Sequence, residues 1–250
     1  MIETRELVKV FPDRKGGAIR AVDGVSLAAR PGSIFGLLGA NGAGKTTTLR
    51  MIATLLTPTS GTAIVAGHDV RAEPQRVREK IGFLTGSTAL YGRLTAREMV
   101  EYFGKLHGLN GAALGARVSE IFGDLEMNGF ARSRCDKLST GQKQRVSIAR
   151  AIVHQPAVMV FDEPTTGLDV MTSRTIMRFI EKCRDEGRTV VFSTHIMSEA
   201  ERLCDEVAVI HGGRIVAQGT LEALRERTGL RALESVFLKL VGEPGEETTP

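Results

Sequence analysis

An α/β fold, with a mostly parallel sheet flanked by helices, is predicted by three apolar runs that each end in chemistry-bearing residues. Ile34-Phe35-Gly36-Leu37-Leu38 leads directly into Gly39-Ala40-Asn41-Gly42-Ala43-Gly44-Lys45-Thr46 and then into a helix-forming stretch. Ala157-Val158-Met159-Val160-Phe161 ends in Asp162-Glu163-Pro164, and Thr189-Val190-Val191-Phe192-Ser193 ends just before His195. Continuous apolar runs are what doubly covered parallel strands require, because neither face meets water. Helical patterns separate the runs, as crossover connections between parallel strands demand.

The glycine loop carries the most specific chemistry. Residues with little or no side chain let consecutive backbone N–H groups close around phosphate oxygens, and the following helix N-terminus adds partial positive charge. Asn41, Gly42, Ala43 and Gly44 form this cradle. Lys45 is placed for the β- and γ-phosphates, Thr46 for a Mg²⁺ ion bridging them, and Thr47 for a contact near the α-phosphate.

Size and charge set the outer bounds. At 250 residues the chain can form one α/β domain with a subdomain. Basic residues exceed acidic ones by only 33 to 29 and form no tail, so no nucleic-acid partner is expected. No apolar stretch approaches the roughly 18–20 residues of a membrane span, and Met1 to Glu6 lacks a signal-peptide core, so a cytoplasmic location is expected. Cys135, Cys183 and Cys204 are widely spaced, which suits reduced, half-buried packing residues rather than a disulfide or zinc site.

In order along the chain, Ile2 to Phe11 and Ile19 to Ala28 read as strand regions around the turn cluster Pro12 to Gly17. Phe11, one strand before the loop, is equally compatible with core packing and with stacking on a base. The loop helix is expected to reach about Leu56, before Thr57-Pro58-Thr59-Ser60-Gly61. Thr62 to Ala66 reads as a short strand and Gly67-His68-Asp69 as a turn. Thr95-Ala96-Arg97-Glu98 fits a capping box, and a second helical pattern runs from Leu114 to about Leu125, which together predict a helical insert. Ser139 and Gln142 form another capping box, where Ser139 and Gly141 open a helix with Val146, Ala149, Ile152 and Val153 on its apolar face. That opening is by itself a well-capped helix or a second anion site.

Asp162 and Glu163 would repel unless a cation or proton were shared, and a metal–nucleotide site supplies the cation. Asp162 is the metal candidate, with Thr46. Glu163 is the candidate base that takes a proton from an attacking water. A helix is expected over roughly Met171 to Glu186, ended by Gly187. Val207 to His211 and Arg214 to Gln218 read as a hairpin joined by Gly212-Gly213. Leu233, Val236, Phe237 and Leu240 form the face of a final helix, with a polar tail from Glu243.

The order of these motifs resembles the ATP-binding subunit of an ABC transporter over residues 1 to 242. Five elements carry the likeness: the phosphate loop Gly39 to Thr46, the signature Leu138 to Gln142, the Walker B run Val158 to Glu163, the loop ending in Asp169, and the switch His195. The resemblance implies a P-loop NTPase core with an N-terminal antiparallel β subdomain and an inserted α-helical subdomain. On that pattern residues 1–230 form the ATP-binding domain, with the helical subdomain at about 88–137, and 231–250 a C-terminal helix and flexible tail. It implies ATP and Mg²⁺ as ligands, Phe11 as the adenine-stacking aromatic, and Glu163, His195 and Lys45 as the hydrolytic group.

The family's head-to-tail dimer would bring Ser139, Gly141 and Gln142 of one copy onto the nucleotide held by the other. A separate integral membrane permease would complete the transporter, with this chain peripheral on the inner face of the cell membrane. Asp162 to Met171 and Leu233 to Leu240 are most similar to bacterial exporters of the sodium- and drug-extruding group. Thr140 stands where the family usually has glycine. Gly86 stands where it usually has a glutamine that touches Mg²⁺, which shifts coupling toward neighbours such as Tyr91 and Arg93.

A soluble ABC ATPase with a non-transport role is the alternative. Ribosome-acting members usually carry two cassettes in one chain, and DNA-repair members a long coiled coil between loop and signature; neither feature is present. Glu163 and His195 argue against a non-hydrolysing regulator.

Overall fold

Two sheets organise the chain in a computed structural model that describes residues 1–13, 16–85 and 89–242. The first is antiparallel: β1 (Ile2–Pro12), β2 (Ala18–Val25), β3 (Ala28–Ala29), β5 (Ser60–Val65) and β6 (His68–Asp69), ordered β2-β1-β5-β6 with β3 also on β1. The second contains β4 (Ile34–Leu38), β7 (Ile81–Thr85), β8 (Val158–Asp162), β9 (Thr189–Thr194), β10 (Glu206–His211) and β11 (Arg214–Gly219), ordered β11-β10-β4-β9-β8-β7. All its pairings are parallel except the β10–β11 hairpin.

The three apolar runs are the three central strands of the second sheet, and their side chains divide between two cores at a period of two. Ile34, Leu38, Met159, Phe161, Val190 and Phe192 face one core. Phe35, Leu37, Val158, Val160 and Val191 face the other, shared with the antiparallel sheet and with α1 (Lys45–Ile52). Truncating one such fully buried phenylalanine costs about 3–5 kcal/mol. Gly36 interrupts the run because Cys204 packs on it; a Cβ there would lie 2.6 Å from the Cys204 sulfur.

The expected helical insert is built from α3 (Ala96–Leu106), α4 (Gly111–Asp124) and two short 3₁₀ turns. It packs on α5 (Thr140–Ile152) and α6 (Val170–Asp185) through Met99, Val118, Phe122, Val146 and Phe179. Both predicted capping boxes form. The Glu98 and Gln142 N–H groups donate to the Thr95 and Ser139 hydroxyls at 3.2 and 3.3 Å. Reciprocally, the Thr95 and Ser139 N–H groups donate to the Glu98 and Gln142 side chains.

Other details differ from the sequence reading. α1 stops at Ile52 rather than near Leu56, because Thr54 adopts a left-handed φ of 60° and the Leu55 and Thr54 N–H groups turn back to the Arg50 and Met51 carbonyls. His68-Asp69 is a strand rather than a turn: Ala66 and Gly67, both with positive φ, make the two-residue reversal and β6 pairs with β5. Three short helices were not foreseen, α2 (Pro74–Lys80), α7 (Met197–Leu203) and α8 (Leu221–Thr228), whereas the final helix α9 (Leu233–Val241) was. The cysteines are free and buried rather than half-buried, and burial pushes the Cys183 thiol up to about 12. Among the described residues no helix is long and apolar enough to cross a membrane.

Where α3 and α5 end, His107 and His154 stack with centroids 3.8 Å apart and rings 8° from parallel. The His154 Nε2 lies 3.2 Å from the Ile81 carbonyl. Burial, with His107, Arg117 and Arg188 as cationic neighbours, lowers the His154 pKa from 6.5 to about 4. The unfolded chain therefore binds a proton there at pH values where the folded chain does not, so stability falls as pH drops from about 6.5 to about 4. The unfolding temperature, measured across this window, is expected to decline less steeply in His154→Gln than in the parent.

Candidate functional site

Parallel pairing brings three distant stretches to one edge. β9 lies between β4 and β8, with Leu38 opposite Thr194 and Asp162 opposite Ser193. All three strands point the same way, so the glycine loop, Asp162-Glu163 and His195 emerge together at their carboxyl ends, where open α/β sheets bind ligands.

The loop is shaped by contact as well as by backbone conformation. Gly44 has φ 109°, and a Cβ there would sit 2.7 Å from the Ala21 carbonyl. Gly44 is also the N-cap of α1, so no side chain caps that helix. Thr95, Ser139, Asp169 and Thr220 cap α3, α5, α6 and α8 with their side chains, whereas α2, α4, α7 and α9 resemble α1 in having no side-chain cap. The first-turn N–H groups of Lys45, Thr46 and Thr47 are thus left for an anion. They border a cavity of about 140 Å³ with Asn41, Gly42 and Glu163.

Lys45 is only 4% exposed. Its ammonium donates to the Gly39 and Ala40 carbonyls at 2.7 and 3.2 Å and lies 3.1 Å from the Glu163 carboxylate. The His195 Nδ1 lies 3.3 Å from the same Glu163 oxygen. Partial burial pushes the Glu163 carboxyl up, but Lys45 and then His195 pull it down by more, so it is held below its usual value. A carboxylate in that state is ionised at neutral pH and able to accept a proton.

Glu163 has a left-handed φ of 49°, a conformation that costs a non-glycine residue about 1–3 kcal/mol. Its N–H donates to both the carbonyl and the hydroxyl of Ser193, each at 3.1 Å. Asp162, 4% exposed, accepts the Ser193 hydroxyl proton at 2.7 Å. Thr46, Asp162 and Glu163 line a second cleft of about 380 Å³ together with Arg50, Thr140 and Gln144. Thr46 and Asp162 supply hard oxygen donors, the set that suits Mg²⁺.

The remaining predicted residues are spread around this edge. Ser139, Gly141 and Gln142 open α5, and Gly141 packs so closely on α6 that a Cβ would lie 2.9 Å from the Thr172 hydroxyl. Asp169 caps α6 through the Thr172 N–H and hydroxyl at 2.9 and 2.8 Å. Phe11 pairs with Ile19 between β1 and β2, with the Lys9 ammonium 5.3 Å from its ring centroid, and is not among the residues bordering the two cavities. Gly86 lies outside the described residues, as does the tail from Glu243.

Sequence reasoning missed Ser193, Gln144 and Arg50. Ser193 ends the third apolar run, and a hydroxyl there was the available signal. Gln144, whose amide donates to the Pro164 carbonyl at 2.7 Å, sits on the polar side of the signature helix and had no motif to mark it.

The ABC transporter family profile matches residues 22–166. The chain is 43% identical to the ABC transporter ATP-binding protein NatA of Bacillus subtilis (strain 168), covering 96% of this chain and 98% of that one. It is 40% identical to the daunorubicin/doxorubicin resistance ATP-binding protein DrrA of Streptomyces peucetius, over 93% of this chain and 69% of that one. Among solved structures it resembles a dimeric, post-hydrolysis ATP-binding cassette bound to ADP and Pi, with TM-score 0.81 and 30% identity over 88% of this chain and 99% of the other.

Lys45→Ala is expected to abolish tight MgATP binding, because the remaining loop amides carry only partial charges. Equilibrium binding of a fluorescent ATP analogue checks this; parental affinity in the variant would remove the loop from the phosphate role.

Proposed function

The chain belongs to the ABC transporter family as an ATP-binding, ATP-hydrolysing subunit, and from that premise we propose that it powers an exporter of sodium, drugs or another small solute. The observation that carries the hydrolytic part of the reading is the convergence of Lys45 and His195 on one Glu163 carboxylate oxygen at the edge where the glycine loop emerges. Likeness to NatA and to the drug-resistance protein DrrA supports the exporter group.

In this reading the uncapped loop amides and Lys45 bind the phosphates of ATP. Thr46 and Asp162 would hold Mg²⁺, which when bound neutralises phosphate charge in the transition state. Glu163 accepts the proton of the attacking water, and His195 fixes the orientation of that carboxylate. Two copies pair head to tail, so that Ser139, Gly141 and Gln142 of each close over the nucleotide of the other; the dimeric arrangement of the similar cassette supports this. Phe11 stacks on the adenine.

A separate membrane permease completes the machine, with this chain peripheral on the inner face of the membrane. A groove of about 440 Å³ lined by Leu55, Phe83, Phe103 and Arg150 gives the permease a face to dock on. Tyr91 and Leu106 stand exposed on the helical insert beside Tyr102, consistent with the coupling role expected of Tyr91 and Arg93.

Glu163→Gln is expected to retain ATP binding, slow hydrolysis by about 10²-fold or more, and accumulate a dimer with ATP on size-exclusion chromatography. Unchanged turnover would exclude Glu163 as the base. The transport reading is tested by affinity purification from detergent-solubilised membranes. A multi-spanning membrane protein is expected to copurify and to raise the ATPase rate, and recovery of ribosomes or of no membrane protein would favour a non-transport role.

A further inference from the structure

We propose that Ser193 is a positioning residue of the hydrolytic site, whose one hydroxyl fixes Asp162 and Glu163 relative to each other. The inference rests on the reading of Asp162 as the metal carboxylate and Glu163 as the base. Ser193 is fully buried on β9, directly after Val190, Val191 and Phe192. A hydroxyl in that setting is unfavourable unless its hydrogen-bonding capacity is met. Both of its hydrogen bonds go to the two site carboxylate residues: the hydroxyl donates to Asp162 Oδ1 at 2.7 Å and accepts from the Glu163 N–H at 3.1 Å.

Both bonds act on features the chemistry needs. Engaging Oδ1 restricts rotation of the Asp162 carboxylate and leaves Oδ2 for the cleft that Asp162 lines, the arrangement by which outer-shell partners orient metal ligands. The shared N–H bond to the carbonyl and hydroxyl of Ser193 holds Glu163 in its left-handed conformation, and it is that turn which sends consecutive side chains of one strand end to different tasks. A strand end that needed only packing here would be served by alanine or valine.

The test compares purified full-length parent, Ser193→Ala, Ser193→Thr and Asp162→Asn chains. A fluorescent ATP analogue is titrated with and without magnesium, and ATPase kinetics and thermal unfolding are recorded on the same samples. Ser193→Ala is expected to bind the analogue as the parent does without magnesium. The tightening that magnesium brings should shrink about tenfold, and kcat should fall about tenfold or more while the KM for MgATP rises in step with the weaker binding. Ser193→Thr keeps the hydroxyl and should restore both. Parental magnesium dependence and kcat in Ser193→Ala would overturn the proposal. So would failure of a folded Ser193→Thr to restore function, because the effect would then belong to packing. Asp162→Asn separates the two levels: if it retains the parental magnesium effect, the metal reading itself falls and the proposal with it. Loss of that effect in Asp162→Asn beside parental behaviour in Ser193→Ala overturns the role of the serine alone.

Discussion

The site depends on one constraint, the parallel pairing of β4, β9 and β8 with their ends in register. Residues that are far apart along the chain can act on one phosphate only if three strands finish at the same level and point the same way. Parallel strands cannot be joined by tight turns, so each is reached by a crossover, and the crossovers are the helices that cover both faces. Covering both faces in turn demands unbroken apolar strands. The same requirement therefore dictates Ile34–Leu38, Val158–Asp162 and Thr189–Thr194 as sequences and aligns Lys45, Glu163 and His195 as chemistry.

Charge balance is the second layer. Lys45 is a buried cation, and a buried charge is tolerated only when paired and hydrogen-bonded. Two carbonyls of its own loop and the Glu163 carboxylate just past β8 satisfy it. The loop and the end of β8 are thereby tied together by one ammonium, so an anion entering the cradle would compete with Glu163 for it.

How much of this was legible follows from how local each signal is. The apolar runs, the glycine loop and both capping boxes declare themselves within a few residues, and the hairpin at Gly212-Gly213 formed as read, with both glycines at positive φ. α2 and α7 were missed because they are seven residues each: α2 buries Val77 alone, and the helically spaced face of α7, Glu199, Ala200 and Leu203, is only one turn long and includes a carboxylate. α8 carried a Thr220 cap and a Gly229 stop that could have been used. The end of α1 was misjudged because Thr54 occupies a left-handed position usually given to glycine, which no propensity signals. Within the site, residue types were legible and relations were not. Ser193 touches Asp162 and Glu163 only through the β8–β9 register, and a register between strands about 30 residues apart is a tertiary fact.

The left-handed backbone of Glu163 has a consequence for how this chain would respond to selection for robustness alone. Glycine would relieve that backbone conformation, but it would also remove the carboxylate that pairs the buried Lys45 ammonium, so the two effects oppose each other at position 163. Backbone strain at position 163 and the charge balance of Lys45 are therefore bound up in one side chain, and neither can be relaxed without disturbing the other.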